Sequence, residues 1–254
     1  MSGTLNGAGI LVTRPAAQAG PLAQMVRDAG GKPVLFPGLD VEAIAMDSAL
    51  PGASGHFDLA IFVSPNAVRF GVPLIEASGG FGRFKRLAAI GPGTTAELKK
   101  HGVHDVISPQ SGHDSEALIA ALSGMQLTRA LIVRGEGGRE LLRDTLRERG
   151  ATVEYLECYR RTRPAGDMHA LTARAREAVT ACVATSSSIV ANLFEMAGED
   201  GRPWLRSLVF FVPHPRVAAT AYGCGAGTVF VTGNGDEALL SGMATWFSRL
   251  RPSH

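Results

Sequence analysis

Four short motifs occur twice in this chain, always at one spacing, and that repetition restricts the fold more than any other feature. ILVTR and LIVRG superpose with Leu11 on Ile132, FVSPN and VATSS with Ser64 on Thr185, LAAIGP and LVFFVP with Pro92 on Pro213, and SEAL and DEAL with Glu116 on Glu237. The offset is 121 positions each time, as 132 minus 11 gives for the first pair. A general strand and helix rhythm could imitate one or two of these matches, but one offset at four places reads as two copies of a single module.

The module is α/β. Short β-rich runs (GILVTR, PVLFP, DLAIFVS, LAAIG, DVIS, ALIVRG, TVEYLECY, ACVATS, LVFFVP and TVFVTG) alternate with amphipathic stretches. Helices are expected at Ala16–Ala29, Thr95–His101, Arg139–Arg149, Met168–Thr180 and Asp236–Leu250, which is the pattern of parallel strands joined by crossovers. Two similar parallel-sheet domains of the Rossmann or flavodoxin-like kind are the expected fold. A chain of 254 residues with 45% hydrophobic content can build both cores without metal or disulfide help. The three cysteines, Cys158, Cys182 and Cys224, have no paired spacing and read as structural thiols in a reducing compartment. With 25 basic and 23 acidic residues and no basic block, a nucleic-acid or membrane partner is not expected. No export signal or spanning segment is evident, so a cytoplasmic location is expected.

In open parallel sheets ligands sit beyond the carboxyl ends of the strands, where loops enter helices. Five such loops share one chemistry: Thr13-Arg14-Pro15, Ser64-Pro65-Asn66, Gly91-Pro92-Gly93-Thr94-Thr95, Arg134-Gly135-Glu136-Gly137-Gly138-Arg139 and Thr185-Ser186-Ser187-Ser188. Hydroxyl residues cap helices in any protein, and each one taken singly reads that way. Together they form a rim of neutral donors and helix starts, suited to a ligand with many separated carboxylates. Two modules facing one another would line a cleft from both sides. Nucleotide signatures are missing. A dinucleotide fingerprint needs Gly where Glu140 stands, and a P-loop needs Lys followed by Ser or Thr where the chain has Gly138 and Arg139. The loop TRPAAQ after the first strand is equally unlike a dinucleotide site, which disfavours a reductase. A non-catalytic two-lobed binding protein remains a rival reading.

The run VRGEGGRELLRDTLRERGATVEYLECYRRTRP, with ILVTRP, FVSPNAV, AIGPGTTAEL and VATSSSIV, resembles uroporphyrinogen-III synthase of the bacterial type from about Ile10 to about Leu250. The resemblance implies a two-stranded β connection between the domains and a discontinuous arrangement. Residues 1–36 would join 165–254 in one domain, 42–156 would form the other, and 37–41 and 157–164 would be the linker strands. It implies a linear tetrapyrrole substrate, hydroxymethylbilane, cyclised with loss of water and inversion of its terminal ring, with neither cofactor nor metal. It also implies Tyr159, in ECYRR, as the acid that assists departure of the hydroxyl. A packed strand aromatic is the alternative that the residues alone allow.

The remaining expected contacts are Thr13, Arg14, Ser64, Asn66, Gly91, Thr94, Thr95, Arg134, Gly137, Gly138, Arg139, Thr185 and Ser186, all substrate-binding. Arg14 and Arg139 are the foremost cation candidates, each taken to open a helix beyond a strand, with a solvated or structural role as the alternative for both. Asn66 stands where some relatives carry Arg, and His214 departs from the small hydroxyl residue common at its position, leaving its part open. A monomer is expected, with transient contact to the preceding pathway enzyme as a further possibility.

Overall fold

The computed structural model describes residues 4–45 and 55–249. The chain begins with strand β1 (Gly9–Val12), helix α1 (Ala16–Asp28) and strand β2 (Lys32–Leu35). Its middle supplies β3 (Asp40–Ala43), β4 (Leu59–Phe62), α2 (Pro65–Ala77), β5 (Leu87–Ala89), α3 (Pro92–Lys100), α4 (Ser115–Ala121), β6 (Arg129–Gly135), α5 (Leu141–Glu148) and β7 (Thr152–Thr162). The rest forms α6 (Met168–Ala175), β8 (Val179–Val183), α7 (Ser187–Ser207), β9 (Val209–Val212), α8 (Pro215–Gly223), β10 (Thr228–Val231) and α9 (Asp236–Arg249). Packing divides the chain into two compact units, Met1–Asp40 with Thr162–His254, and Val41–Arg161.

In the first unit the sheet runs β10-β9-β8-β1-β2, with every adjacent pair parallel. This is the flavodoxin-like order, whose ligand crevice opens where the winding reverses, between β1 and β8. The second unit runs β3-β7-β6-β4-β5. Beyond β5 a single parallel bridge joins Ala88 to Ile107. Shifting by the repeat offset sets β6 on β1, β7 on β2, β4 on β8, β5 on β9 and Ile107 on Thr228. The second unit is thus the same winding entered at its third strand, with β3 added beside β7. Its reversal lies between β6 and β4.

Alternation along the central strands explains the layering. Leu11 packs with α6, α7 and α8 residues such as Leu171, Leu193 and Val217. Its neighbours Ile10 and Val12 pack with Leu22 and Val26 of α1 and Met243 of α9. The second unit repeats the division, with Leu131 and Val133 against Val68 and Val72 of α2, and Ile132 against Leu118 of α4 and Leu146 of α5. Each buried Leu, Ile or Val of this kind contributes about 1.5–3 kcal/mol.

Several boundaries differ from expectation. DVIS yields only the bridge at Ile107, because Pro109 has no N–H with which to extend a ladder. The helix expected through Thr180 stops at Ala175, and the β-branched pair Val179 and Thr180 begins β8 instead, where Val179 pairs with Gly9. Gly9 must be glycine there, since a Cβ would lie 2.0 Å from the Ala178 carbonyl oxygen. Helix α3 starts earlier than expected, with Pro92 at its first position. Helix α5 starts later, at Leu141, so Arg139 stays in the loop and does not open the helix. Leu250, the expected last residue of the final helix, lies outside the described residues.

Candidate functional site

At the reversal of the second unit the loops after β4 and β6 leave the sheet in opposite directions. Between them is a cavity of about 560 Å3 lined by Ser64, the Arg134–Arg139 loop, Ser115, Tyr159 and Arg161 among others. A register irregularity in β7 decides what faces it. Arg134 pairs with Glu157, yet Gly135 pairs with Tyr159, so Cys158 is an extra residue in the ladder. Before this bulge Tyr155 packs beside the α4 and α5 core, while Leu156 belongs to the α2 and α3 core. Strict alternation would keep Tyr159 on the side of Tyr155. The bulge turns it to the side of Cys158, a common use of bulges next to binding sites.

Tyr159 is 2% exposed. Its ring packs tilted against Phe70 with centroids 5.8 Å apart, and its hydroxyl stands 3.0 Å from the Ser64 Oγ, with either oxygen able to donate. Ser64 is the N-cap of α2 and accepts the Ala67 N–H at 3.0 Å, so helix start and phenol share one hydroxyl. Gly135 makes room for the ring, since a Cβ there would come within 2.5 Å of Tyr159 Cζ.

Beneath the glycine loop lies a charged network. Arg134 is 3% exposed, donates from Nε to the Gly135 carbonyl at 3.2 Å and from Nη1 to Glu140 Oε1 at 3.1 Å, and lies 3.5 Å from Glu157 Oε1. Its guanidinium covers the Tyr155 ring at 4.4 Å, and a Cβ on Gly138 would sit 2.8 Å from its Nη2. The Tyr155 hydroxyl donates to Glu140, which also pairs with Arg143 at 2.8 Å. The hydrogen bond from Tyr155, with help from Arg134, holds the Glu140 carboxyl below its ordinary range. Burial, reinforced by the same bond, pushes the Tyr155 phenol up to about 12. Gly137 takes a φ of 64°, the left-handed turn that brings the loop over this network.

The two arginines singled out from the sequence are both paired. Arg139 forms a two-pronged contact with Glu116 in the first turn of α4, and Arg14 pairs with Asp236 in the first turn of α9. Helices α4 and α9 are repeat counterparts, so both units tie the loop after the reversal strand to the same helix start, though through neighbouring and not superposed positions. Thr13 is fully buried and donates its hydroxyl to the Val183 carbonyl at 2.6 Å, bridging β1 and β8. Across that reversal of the first unit Thr185 is half-buried, and Ser186 caps α7 by accepting the Ile189 N–H at 3.2 Å. Asn66 lies in the first turn of α2 and is half-buried. Thr94 is buried, Thr95 donates to the Gly91 carbonyl at 3.2 Å, and neither these residues nor Gly91 line the cavity. His214 replaces the hydroxyl cap, its Nδ1 accepting the Arg216 N–H at 3.1 Å.

Sequence reasoning missed Ser115, Arg161, and the Glu140 and Tyr155 pair as contributors. For Arg161 a signal existed, since it lies two residues beyond Tyr159 and shares its strand face. The thiol of Cys158 is pushed up to about 12 by burial and sits 3.4 Å from the Arg134 carbonyl, a structural position. Cys182 is likewise pushed up by burial. Among the described residues no cluster of His, Cys, Asp or Glu could hold a metal ion, and no helix is long and apolar enough to cross a membrane.

Fold and site together define a double flavodoxin-like α/β protein with a phenol and hydroxyl pair at a small-molecule cavity. The family model for uroporphyrinogen-III synthase HemD matches residues 20–238. The uroporphyrinogen-III synthase of Escherichia coli K12 is 34% identical over 91% of this chain and 98% of its own length. That of Salmonella typhimurium is 32% identical over the same shares. Among solved structures, uroporphyrinogen-III synthetase from Helicobacter pylori superposes with a TM-score of 0.60 at 17% identity, over 92% of this chain and 96% of that one. A mutant of the Thermus thermophilus synthase gives 0.58 at 22% identity, over 95% and 98%. These structural likenesses concern the fold. The chain belongs to the uroporphyrinogen-III synthase family.

Proposed function

We propose that this chain converts hydroxymethylbilane to uroporphyrinogen III with loss of water and inversion of ring D. The observation that carries this reading is the Tyr159 and Ser64 hydroxyl contact of 3.0 Å at the cavity of a chain from this family. Loss of the ring A hydroxyl leaves an electrophilic azafulvene. Ring D attacks it through its substituted carbon, and the resulting spiro intermediate fragments and recloses inverted. Tyr159 gives a hydrogen bond or proton to the departing hydroxyl, and Ser64 orients the phenol while holding the helix start.

Because hydroxymethylbilane can lose water and close unaided to the uninverted isomer, the protein must choose a path as well as lower a barrier. A hundredfold preference corresponds to about 3 kcal/mol, within reach of orientation by the substrate's carboxylates. In this reading the orientation comes from the rim of the second unit, through the backbone N–H groups of Gly137 and Gly138 with the Asn66 and Gly91-to-Thr95 loops, while Arg134 and Arg139, paired with acids of the chain, hold the glycine loop in place. Residues 1–36 with 165–254 and residues 42–156 would act as two lobes on the linkers 37–41 and 157–164. The reaction only loses water, so it balances without a redox partner, and we take it to need no cofactor or metal. We further infer a cytoplasmic monomer that meets the preceding pathway enzyme transiently.

The test is incubation with enzymatically generated hydroxymethylbilane, followed by separation of the isomers. Isomer III is expected in excess. Accumulation of isomer I alone would remove the catalytic reading and leave the binding protein.

A further inference from the structure

Three guanidinium groups line the cavity of the second unit. Two of them are already matched by carboxylates of the same chain. Arg134 is buried between Glu140 and Glu157, at 3.1 and 3.5 Å, so its charge serves to fix the glycine loop. Arg139 is gripped from both nitrogens by Glu116. Arg161 differs from both. It is exposed, makes no ion pair among the described residues, and has its guanidinium 5.9 Å from the centroid of the Tyr159 ring. Glu136, the acid among the lining residues, does not pair with it. Its place follows from the strand, since residues two apart share a face and the bulge has already turned Tyr159 toward the cavity.

We propose that Arg161 receives a carboxylate of the substrate and thereby sets the pyrrole bearing it beside the Tyr159 hydroxyl. This rests on the tetrapyrrole reading above, and it moves the anion contact from Arg139 to a residue whose fork of donors is uncommitted. A planar guanidinium can take both oxygens of an acetate or propionate, which fixes orientation as well as position. An uncommitted cation gives up only water to do so, whereas Arg139 would first have to release Glu116.

Fluorescence titration of uroporphyrin III, which carries acetate and propionate on every ring, onto the full chain tests this without turnover. Arg161→Ala is expected to weaken binding about tenfold and to flatten its salt dependence, and Arg161→Lys to recover part of the loss. Arg160→Ala, on the opposite strand face beside Glu42, is expected to bind within about twofold of wild type. With hydroxymethylbilane, Arg161→Ala should raise KM about tenfold and lower kcat by less. Unchanged circular dichroism and melting exclude misfolding as the cause. Binding by Arg161→Ala within about twofold of wild type, or an equal loss in Arg160→Ala, overturns the assignment. Wild type that binds uroporphyrin III yet forms only isomer I instead refutes the catalytic reading, and the titration alone then judges Arg161.

Discussion

Tyr159 and Ser64 are 95 positions apart in the chain, and their hydroxyl oxygens stand 3.0 Å from one another at the mouth of the second unit's reversal point. One hydroxyl therefore serves both the start of α2 and the phenol. The two substitutions should separate these duties. Tyr159→Phe keeps the ring and its packing, and is expected to lower kcat about a hundredfold with melting unchanged. Ser64→Ala loses the cap as well, so about 1 kcal/mol of stability should go with a smaller fall in kcat. Rapid-quench single turnovers with isomer separation measure both. A Tyr159→Phe protein turning over at the wild-type rate removes the phenol from the mechanism.

Gly135 is required by the ring beside it. A methyl there would lie 2.5 Å from Tyr159 Cζ, so Gly135→Ala must push the ring off its position or bend the strand. Overpacking of this kind costs about 1–3 kcal/mol. The expected result is a lower melting temperature together with lost kcat. Combining Gly135→Ala with Tyr159→Phe should cost no more activity than the worse single change, because both act through one phenol.

Much of the architecture could be read from the repeat, because an offset that maps β1 on β6 and β4 on β8 also maps one sheet order on the other. The layering was not legible in the same way, because Ile10, Leu11 and Val12 are all apolar and only the packing shows which face each takes. The rim loops were legible because turn and cap residues mark the carboxyl ends of strands. What alternation could not supply was the face of Tyr159. Tyr155, Glu157 and Tyr159 share one parity, and only the extra residue in the ladder separates them. That bulge is set by the register of pairing with β6 across the α5 crossover, which the local residue pattern of β7 does not encode. The charge state of the rim was hidden for the same reason, since Arg14 and Arg139 meet acids distant in the chain. Asp236 and Glu116 both stand in the first turns of the repeated DEAL and SEAL helices, yet at positions the offset does not superpose, so the repeat alone did not give the pairs.

Asp58 fastens the opposite end of the second sheet, where β4 and β6 begin. Its Oδ2 accepts the N–H groups of Thr128 and Arg129 at 2.7 and 3.1 Å, and its Oδ1 meets Lys85 at 2.7 Å. The Lys85 bond first, then the two backbone bonds, lower its carboxyl from 3.8 to about 2. A carboxyl depressed on folding contributes stability that is complete above its unfolded value and disappears as pH falls through the folded one. Urea midpoints should therefore decline between about pH 4 and 2 in the wild type. Asp58→Asn should start lower at neutral pH and decline less steeply over that window. Parallel profiles for the two proteins would show that Asp58 is not the titrating group.

The Tyr155 and Glu140 pair gives the alkaline counterpart and bears on the glycine loop. The Tyr155 phenol is raised from 10.0 to about 12, burial acting first and the bond to Glu140 second. A group whose value is raised on folding holds its proton more tightly in the native state, so its stabilisation is complete below the unfolded value and is lost as pH climbs through the folded one. The window therefore lies between about pH 10 and 12. Tyr155→Phe removes that decline. Glu140→Gln should narrow the window by removing the charged acceptor, and should also loosen Arg134, whose other polar partners are Glu157 and the Gly135 carbonyl beside the Tyr155 ring it covers. Because Arg134 lies under Gly138, amide exchange across Glu136–Arg139 should speed up in Glu140→Gln while the strands stay protected. Unaltered exchange in that loop would mean that the network does not hold it.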